Sequence, residues 1–220
     1  MMAAVNRGVL AIVSSPSGAG KTTLTQRLLK EFAPRLEFSV SYTTRNPRAN
    51  EIDGQAYHFV TPEQFEEMVQ KREFAEHAFV HGNRYGTAKA PVESALAASH
   101  DVIFDVDWQG GANLTAVWPD DVLKIFILPP DIESLRRRLE GRGTDKPEVI
   151  ERRYRNAIEE LEHFGEYEHL IINDDVDRAY TILRAIYLTR RDGTDPALRA
   201  IVEQNAASGV QEHAKRLIGR

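Results

Sequence analysis

The 220-residue sequence predicts an α/β fold: a parallel core sheet with helices on both faces, a small mixed insertion and a helical, arginine-rich hairpin. Three observations predict it. Apolar, β-branched runs near residues 9, 102, 122 and 169 read as strands buried on both faces, and the chain between them is long enough for helical crossovers. Val9 to Leu24 runs from such a strand through a glycine turn into an amphipathic helix. The block from about 36 to 90 has short strands, polar at alternate positions, that cannot all join one parallel sheet. It is expected to fold over the carboxyl edge of the strands, where ligands bind in open α/β sheets.

The glycine turn is the most informative stretch. Ser15-Pro-Ser-Gly-Ala-Gly-Lys-Thr22 follows the apolar run Val9–Val13 and precedes a helix read as Lys21–Phe32, with Leu24, Leu28, Leu29 and Phe32 on one face. Helix N-terminal N–H groups lack intrahelical acceptors, and the aligned peptide dipoles favour an anion there. Gly18 and Gly20 let the backbone curl around a phosphate, Lys21 can reach the terminal phosphates, and the Thr22 hydroxyl can sit on a Mg2+ ion. Ser15 stands where the Gly-x4-Gly-Lys-Ser/Thr pattern has its first glycine, and the surrounding context matches. The expectation is a nucleoside triphosphate site in a P-loop NTPase-type, three-layer fold.

The remaining elements follow in order. Leu36–Ser41 and Ala56–Val60 read as strands. Thr61-Pro62-Glu63 reads as a capped helix start, with that helix running to about Arg72. Phe74–Val80 and Arg84–Thr87 should be strands around a turn at His81-Gly82-Asn83. A helix Pro91–Ser99, a strand Asp101–Asp107 and a short helix Ala112–Val117 come next. Val122–Leu128 is a buried strand, followed by a helix Pro130–Leu139 capped by Asp131. Glu148–Phe164 is a long charged helix, His169–Ile172 a last strand and Asp175–Arg190 a closing helix. Beyond Asp192 two weaker helical stretches appear, Ala197–Asn205 and Val210–Ile218.

Composition narrows the chemistry. A formal net charge of −5 argues against a general nucleic-acid binder, and the absence of cysteine excludes disulfides and thiolate chemistry. His77 and His81 have a ligand-like spacing but fall on strand and turn, so they read as packed or solvated imidazoles. Met1 to Gly8 is too short and polar for a signal peptide, and no apolar run reaches membrane-spanning length, so the expectation is a cytoplasmic protein.

Four constellations could carry chemistry. Arg45 and Arg48 stand three residues apart, and two guanidinium forks at that spacing can converge on one phosphate, with Tyr57 and Tyr85 nearby; solvated surface arginines fit the same spacing. Glu76 sits in a mostly apolar strand. Guanine presents N1–H and its 2-amino group side by side, donors that one carboxylate accepts together, and Ser41 and Thr87 could donate to its O6. An exposed edge-strand Glu is the simpler account on composition alone. Asp105 and Asp107 close an apolar strand, as acids that help hold Mg2+ do. Finally, arginines from Arg136 to Arg155 crowd two helices around Gly141-Arg-Gly-Thr-Asp, which suits either a lid closing over phosphates or solvated helices with i,i+4 pairs.

Taken together, residues 8 to 190 resemble guanylate kinase of the bacterial type, within the P-loop nucleoside monophosphate kinases. The most specific parts are Ser39–Arg48, Asp105-Val-Asp-Trp-Gln-Gly110, Arg138-Leu-Glu-Gly-Arg-Gly143 and Ile172-Asn-Asp-Asp175. The resemblance implies phosphorylation of GMP by ATP with Mg2+. Ser15, Pro16, Ser17, Gly18, Ala19, Gly20, Lys21, Thr22 and Thr23 would hold ATP phosphates, and Asn173 would lie near the adenine. Ser41, Glu76, Thr87 and Asp107 would read guanine, while Arg45, Arg48, Tyr57 and Tyr85 would grip the GMP phosphate. Arg138, Arg142 and Arg153 would form the lid side of the transfer site, and Thr22 and Asp105 would hold Mg2+, partly through water. Thr87 stands where many relatives have Ser.

The implied division is a core (1–36, 91–130, 168–190), a GMP-binding insertion (37–90), a lid with flanking helices (131–167) and a C-terminal extension (191–220). GMP and ATP would be the partners, with no nucleic acid or membrane; a homo-oligomer is left open. A GTPase is disfavoured because no Asn-Lys-x-Asp motif occurs. A catalytically inactive binding module would be expected to lose Lys21 or the lid arginines. A kinase for another nucleoside monophosphate is the nearest rival, and Glu76 separates it.

Overall fold

A computed structural model describes residues 7–80, 82–141 and 147–219. The core is a parallel sheet built from β1 (Leu10–Ser14), β2 (Leu36–Phe38), β7 (Asp101–Phe104), β8 (Val122–Leu128) and β9 (His169–Ile172), in the order β2-β7-β1-β8-β9. A smaller mixed sheet combines β3 (Tyr42–Thr43), β4 (His58–Phe59), β5 (Phe74–Val80) and β6 (Asn83–Ala88), in the order β4-β3-β6-β5.

Strand alternation divides the core side chains between two faces. Val9, Ala11, Val13, Ile103, Leu123, Ile125, Ile127 and Ile171 point into one apolar cluster, closed by α1 (Lys21–Phe32) and α7 (Val176–Asp192). Leu10, Ile12, Val102, Phe104, Val122, Phe126, Leu128 and Leu170 point into the other. That second face is covered by α3 (Lys89–Ala97), α4 (Trp108–Val117) and part of the tail. Burial on both faces is why these strands read as unbroken apolar runs rather than alternating ones. The insertion has its own small cluster, in which Phe65 of α2 (Pro62–Gln70) stacks on Phe74 at 4.5 Å.

Several boundaries differ from the sequence reading. The strand read as Leu36–Ser41 splits in two: β2 pairs with β7 in the core sheet, and the mixed sheet starts at Tyr42. The core sheet therefore has a fifth strand among the described residues. Helix α3 starts at Lys89 rather than Pro91, with the proline in the first turn, where its missing N–H has no helical partner. The strand read to Asp107 ends at Phe104, because the Asp107 carboxylate accepts the Gly110 N–H at 2.8 Å and starts α4 at Trp108 rather than Ala112. Helices α5 (Ile132–Glu140) and α6 (Pro147–Leu161) form the arginine-rich hairpin, and the long charged helix ends in a 3-10 turn, Glu162–Glu166. Asp131, as read, caps α5 through the Ser134 N–H.

The tail folds back as α8 (Pro196–Ala207) and α9 (Val210–Leu217). Val210 and Ala214 enter the second core cluster. Asn205 Nδ2 donates to the Leu170 carbonyl at 2.8 Å, satisfying an acceptor of the edge strand β9. His213 Nε2 lies 3.0 Å from the Pro129 carbonyl, just ahead of α5.

Candidate active site

The site lies at the carboxyl ends of β1, β7, β8 and β9. Between β1 and α1 the loop Ser15–Gly20 turns through left-handed φ angles at Gly18 (94°) and Gly20 (95°), which favour glycine. Gly20 has a second constraint, since a Cβ there would come within 2.3 Å of Asn173 Nδ2. Lys21, Thr22 and Thr23 open α1 with no acid in its first turn and no side-chain cap, so its amides remain available to an anion. Ser15, Pro16, Ser17, Gly18, Gly20, Lys21, Thr22 and Thr23 line a cleft of about 320 Å3, together with Glu160.

Asn173 reaches the phosphate loop itself. Its side chain is buried and donates Nδ2 to the Ala19 carbonyl at 2.7 Å, while its backbone N–H bonds Leu128 O. It clasps the phosphate loop from the end of β9. Arg138 reinforces the clasp, donating to the carbonyls of Ala19 (3.4 Å) and Asn173 (3.2 Å). From α6, Arg153 Nη2 donates to Ser17 Oγ at 3.0 Å. Arg138 and Arg153 thus converge on the loop, whereas Arg142 lies outside the described residues. Other arginines of the hairpin, Arg136 and Arg137, make i,i+4 pairs with Glu140 and Glu133 at the surface.

Lys21 is ion-paired with Asp105, the residue after β7. Asp105 and Asp107 do not stand in strand register as read: the first holds Lys21 and the second caps α4. Thr22 and Asp105 are both exposed.

The mixed sheet assembles two groups. Glu76 and Thr87 are cross-strand neighbours, and the Thr87 hydroxyl donates to Glu76 Oε1 at 2.7 Å. Burial holds the Glu76 carboxyl above its ordinary range, opposed by the Thr87 hydrogen bond and reinforced by Asp107. Ser41 is half-buried just before β3. In the second group, the Arg45 guanidinium lies 5.4 Å from the Tyr57 ring centroid, and the Tyr57 and Tyr85 rings meet edge to face at 5.8 Å. Glu51 accepts Arg45 at 2.8 and 2.9 Å and the Arg48 N–H at 2.8 Å. Hydrogen bonding to Glu51 raises Arg45, and the same bond holds the Glu51 carboxyl low. Among the described residues no cluster of three or more His, Cys, Asp or Glu could hold a metal, and His81 falls outside them.

Two site residues were not found from the sequence. Glu51, three residues after Arg48, carried a usable signal: an acid beside two arginines of a polar turn. Glu160 carried a subtler one, standing seven residues after Arg153 on the same face of α6. Its carboxylate accepts the Ser17 backbone N–H at 3.0 Å, and burial holds it above its ordinary value.

A family model described as guanylate kinase matches residues 7–189. The chain belongs to the guanylate kinase family. It is 48% identical over 213 residues to the guanylate kinase of Hyphomonas neptunium, covering 97% of this chain and 93% of that protein. It is 50% identical over 185 residues to that of Chelativorans sp., covering 84% of each. The crystal structure of guanylate kinase from Anaplasma phagocytophilum is similar at a TM-score of 0.63 and 32% identity, covering 91% of this chain and 96% of that one. The family match stops just short of α8 and α9, while the Hyphomonas relative aligns over nearly the whole chain. No helix among the described residues is long and apolar enough to cross a membrane.

Proposed function

We infer that the protein is an ATP:GMP phosphotransferase, converting ATP and GMP to ADP and GDP. The observation that carries this reading is the hydrogen-bonded Glu76–Thr87 pair of the mixed sheet, in a chain of the guanylate kinase family that also carries the phosphate loop. An ionised carboxylate accepts guanine N1–H and the 2-amino group together. Adenine offers an acceptor at N1, so its edge leaves the carboxylate unmatched. Ser41, Thr87 and Asp107 complete the base-reading group. Arg45, Arg48, Tyr57 and Tyr85 grip the GMP phosphate, once Arg45 exchanges Glu51 for it.

Transfer is in line. A GMP phosphate oxygen attacks the γ-phosphorus of ATP, the bond from that phosphorus to the β,γ-bridging oxygen breaks, and ADP leaves with the electron pair. The monoester is already anionic near neutral pH, so no general base is required. Lys21, Arg138, Arg142 and Arg153 offset the charge on the migrating group in the transition state. Ser15 to Thr23 cradle the remaining phosphates, and Asn173 keeps that cradle in shape.

The Thr22 hydroxyl and the Asp105 carboxylate are hard oxygen donors of the sparse kind that suits Mg2+, which completes its shell with phosphate and water. When bound there it would supply charge neutralisation on the phosphates. A cytoplasmic location and small-molecule partners alone belong to the same reading.

Equilibrium titration without ATP tests the base assignment: GMP should bind at micromolar to submillimolar concentration while AMP does not. Equal binding of the two would remove Glu76 from its role.

A further inference from the structure

We propose that Glu160 is a positioning residue that holds the Ser17 amide of the phosphate loop in competition with nucleotide phosphates, so that filling the loop and releasing this contact of α6 are one event. The proposal rests on the reading of the loop as the ATP phosphate site.

Helix α6 meets the loop at Ser17 twice. Arg153 donates to the Ser17 hydroxyl, and two turns later Glu160 accepts the Ser17 N–H. Glu160 also lines the loop's own cleft. An acceptor-only anion therefore sits on a donor of a loop whose chemistry is to hold anions. Triphosphate and carboxylate repel in one cleft and compete for the same backbone group. Arg153, on the same helix face, is attracted by what repels Glu160. As phosphates enter, α6 exchanges its acidic anchor on the loop amide for its basic anchor on the phosphate. Coupling of this kind is reciprocal: whatever ATP does to weaken the Glu160 contact, that contact does to weaken ATP.

The test compares wild type with Glu160→Gln, which keeps a hydrogen-bond acceptor for Ser17 and removes the charge. Calorimetric titrations without GMP use Mg-ATP and, separately, tripolyphosphate. The proposal expects Glu160→Gln to lower both dissociation constants by at least about fivefold, to lower KM for ATP, and to leave GMP affinity unchanged. Glu160→Ala should also tighten ATP binding. A purely structural contact would give the reverse, a loosened loop and weaker ATP. A wild type that binds ATP alongside a folded Glu160→Gln that binds it no tighter overturns the proposal. A wild type that binds neither ligand overturns the functional reading, and this inference with it.

Discussion

Asn173 Nδ2 donates to the Ala19 carbonyl from a point 2.3 Å from where a Cβ on Gly20 would stand. The glycine and the amide are therefore one device. The absence of a side chain at Gly20 lets the end of β9 reach the phosphate loop and hold it while its amides face the cleft. Replacing Asn173 with Ala leaves a buried carbonyl with Arg138 as its remaining side-chain partner, at a cost of about 1–3 kcal/mol. Thermal denaturation should show that loss, and steady-state kinetics should show KM rising for ATP far more than for GMP.

Gly20→Ala combines a left-handed φ with a 2.3 Å approach to Asn173. The strain is about 1–3 kcal/mol. The variant should melt earlier than wild type and bind ATP poorly. An unchanged ATP affinity would mean that the loop tolerates displacement of Asn173.

Glu76 sets function against stability. Its folded-state carboxyl lies above the ordinary 4.5 because of burial. The folded chain thus holds this proton more tightly than the unfolded chain does. The resulting stability is present below pH 4.5 and is lost as pH rises through the raised value. Glu76→Gln should match wild type in melting temperature near pH 4 and exceed it near pH 7.5. The same variant should lose about ten- to a hundredfold in GMP affinity, the 1.5–3 kcal/mol typical of hydrogen bonds to a charged group. Melting curves at both pH values and a GMP titration check the two halves separately.

The tail contributes stability through Val210, buried against the second face of the sheet. Val210→Ala should cost about 1–3 kcal/mol by lost transfer energy and a residual cavity. It lies away from the cleft, so GMP-over-AMP selectivity should survive in the folded fraction. Denaturant unfolding measures the first and a substrate comparison the second.

The phosphate loop was legible because its chemistry is local: strand, glycines, Lys21 and helix start lie within one short stretch. The caps at Thr61 and Asp131 were legible for the same reason. The strand β2 was misassigned because it is short and leaves Phe38 exposed, so its apolar pattern gives little sign of the core sheet. Asn173 was found through its motif, yet its work depends on a partner 154 residues earlier that no spacing reveals. Glu160 was harder to find, because an acid in a charged amphipathic helix looks solvated until the fold brings Ser17 to it, 143 residues back, and only its shared face with Arg153 hints otherwise.

Phosphoryl transfer to GMP is measured most directly as ADP production from ATP and Mg2+ with GMP, AMP, CMP and UMP supplied in turn. The expected result is strong turnover with GMP and almost none with the other three, and collapse of GMP turnover in Arg45→Ala. Comparable turnover with AMP, or none with any monophosphate in a folded preparation, would contradict it.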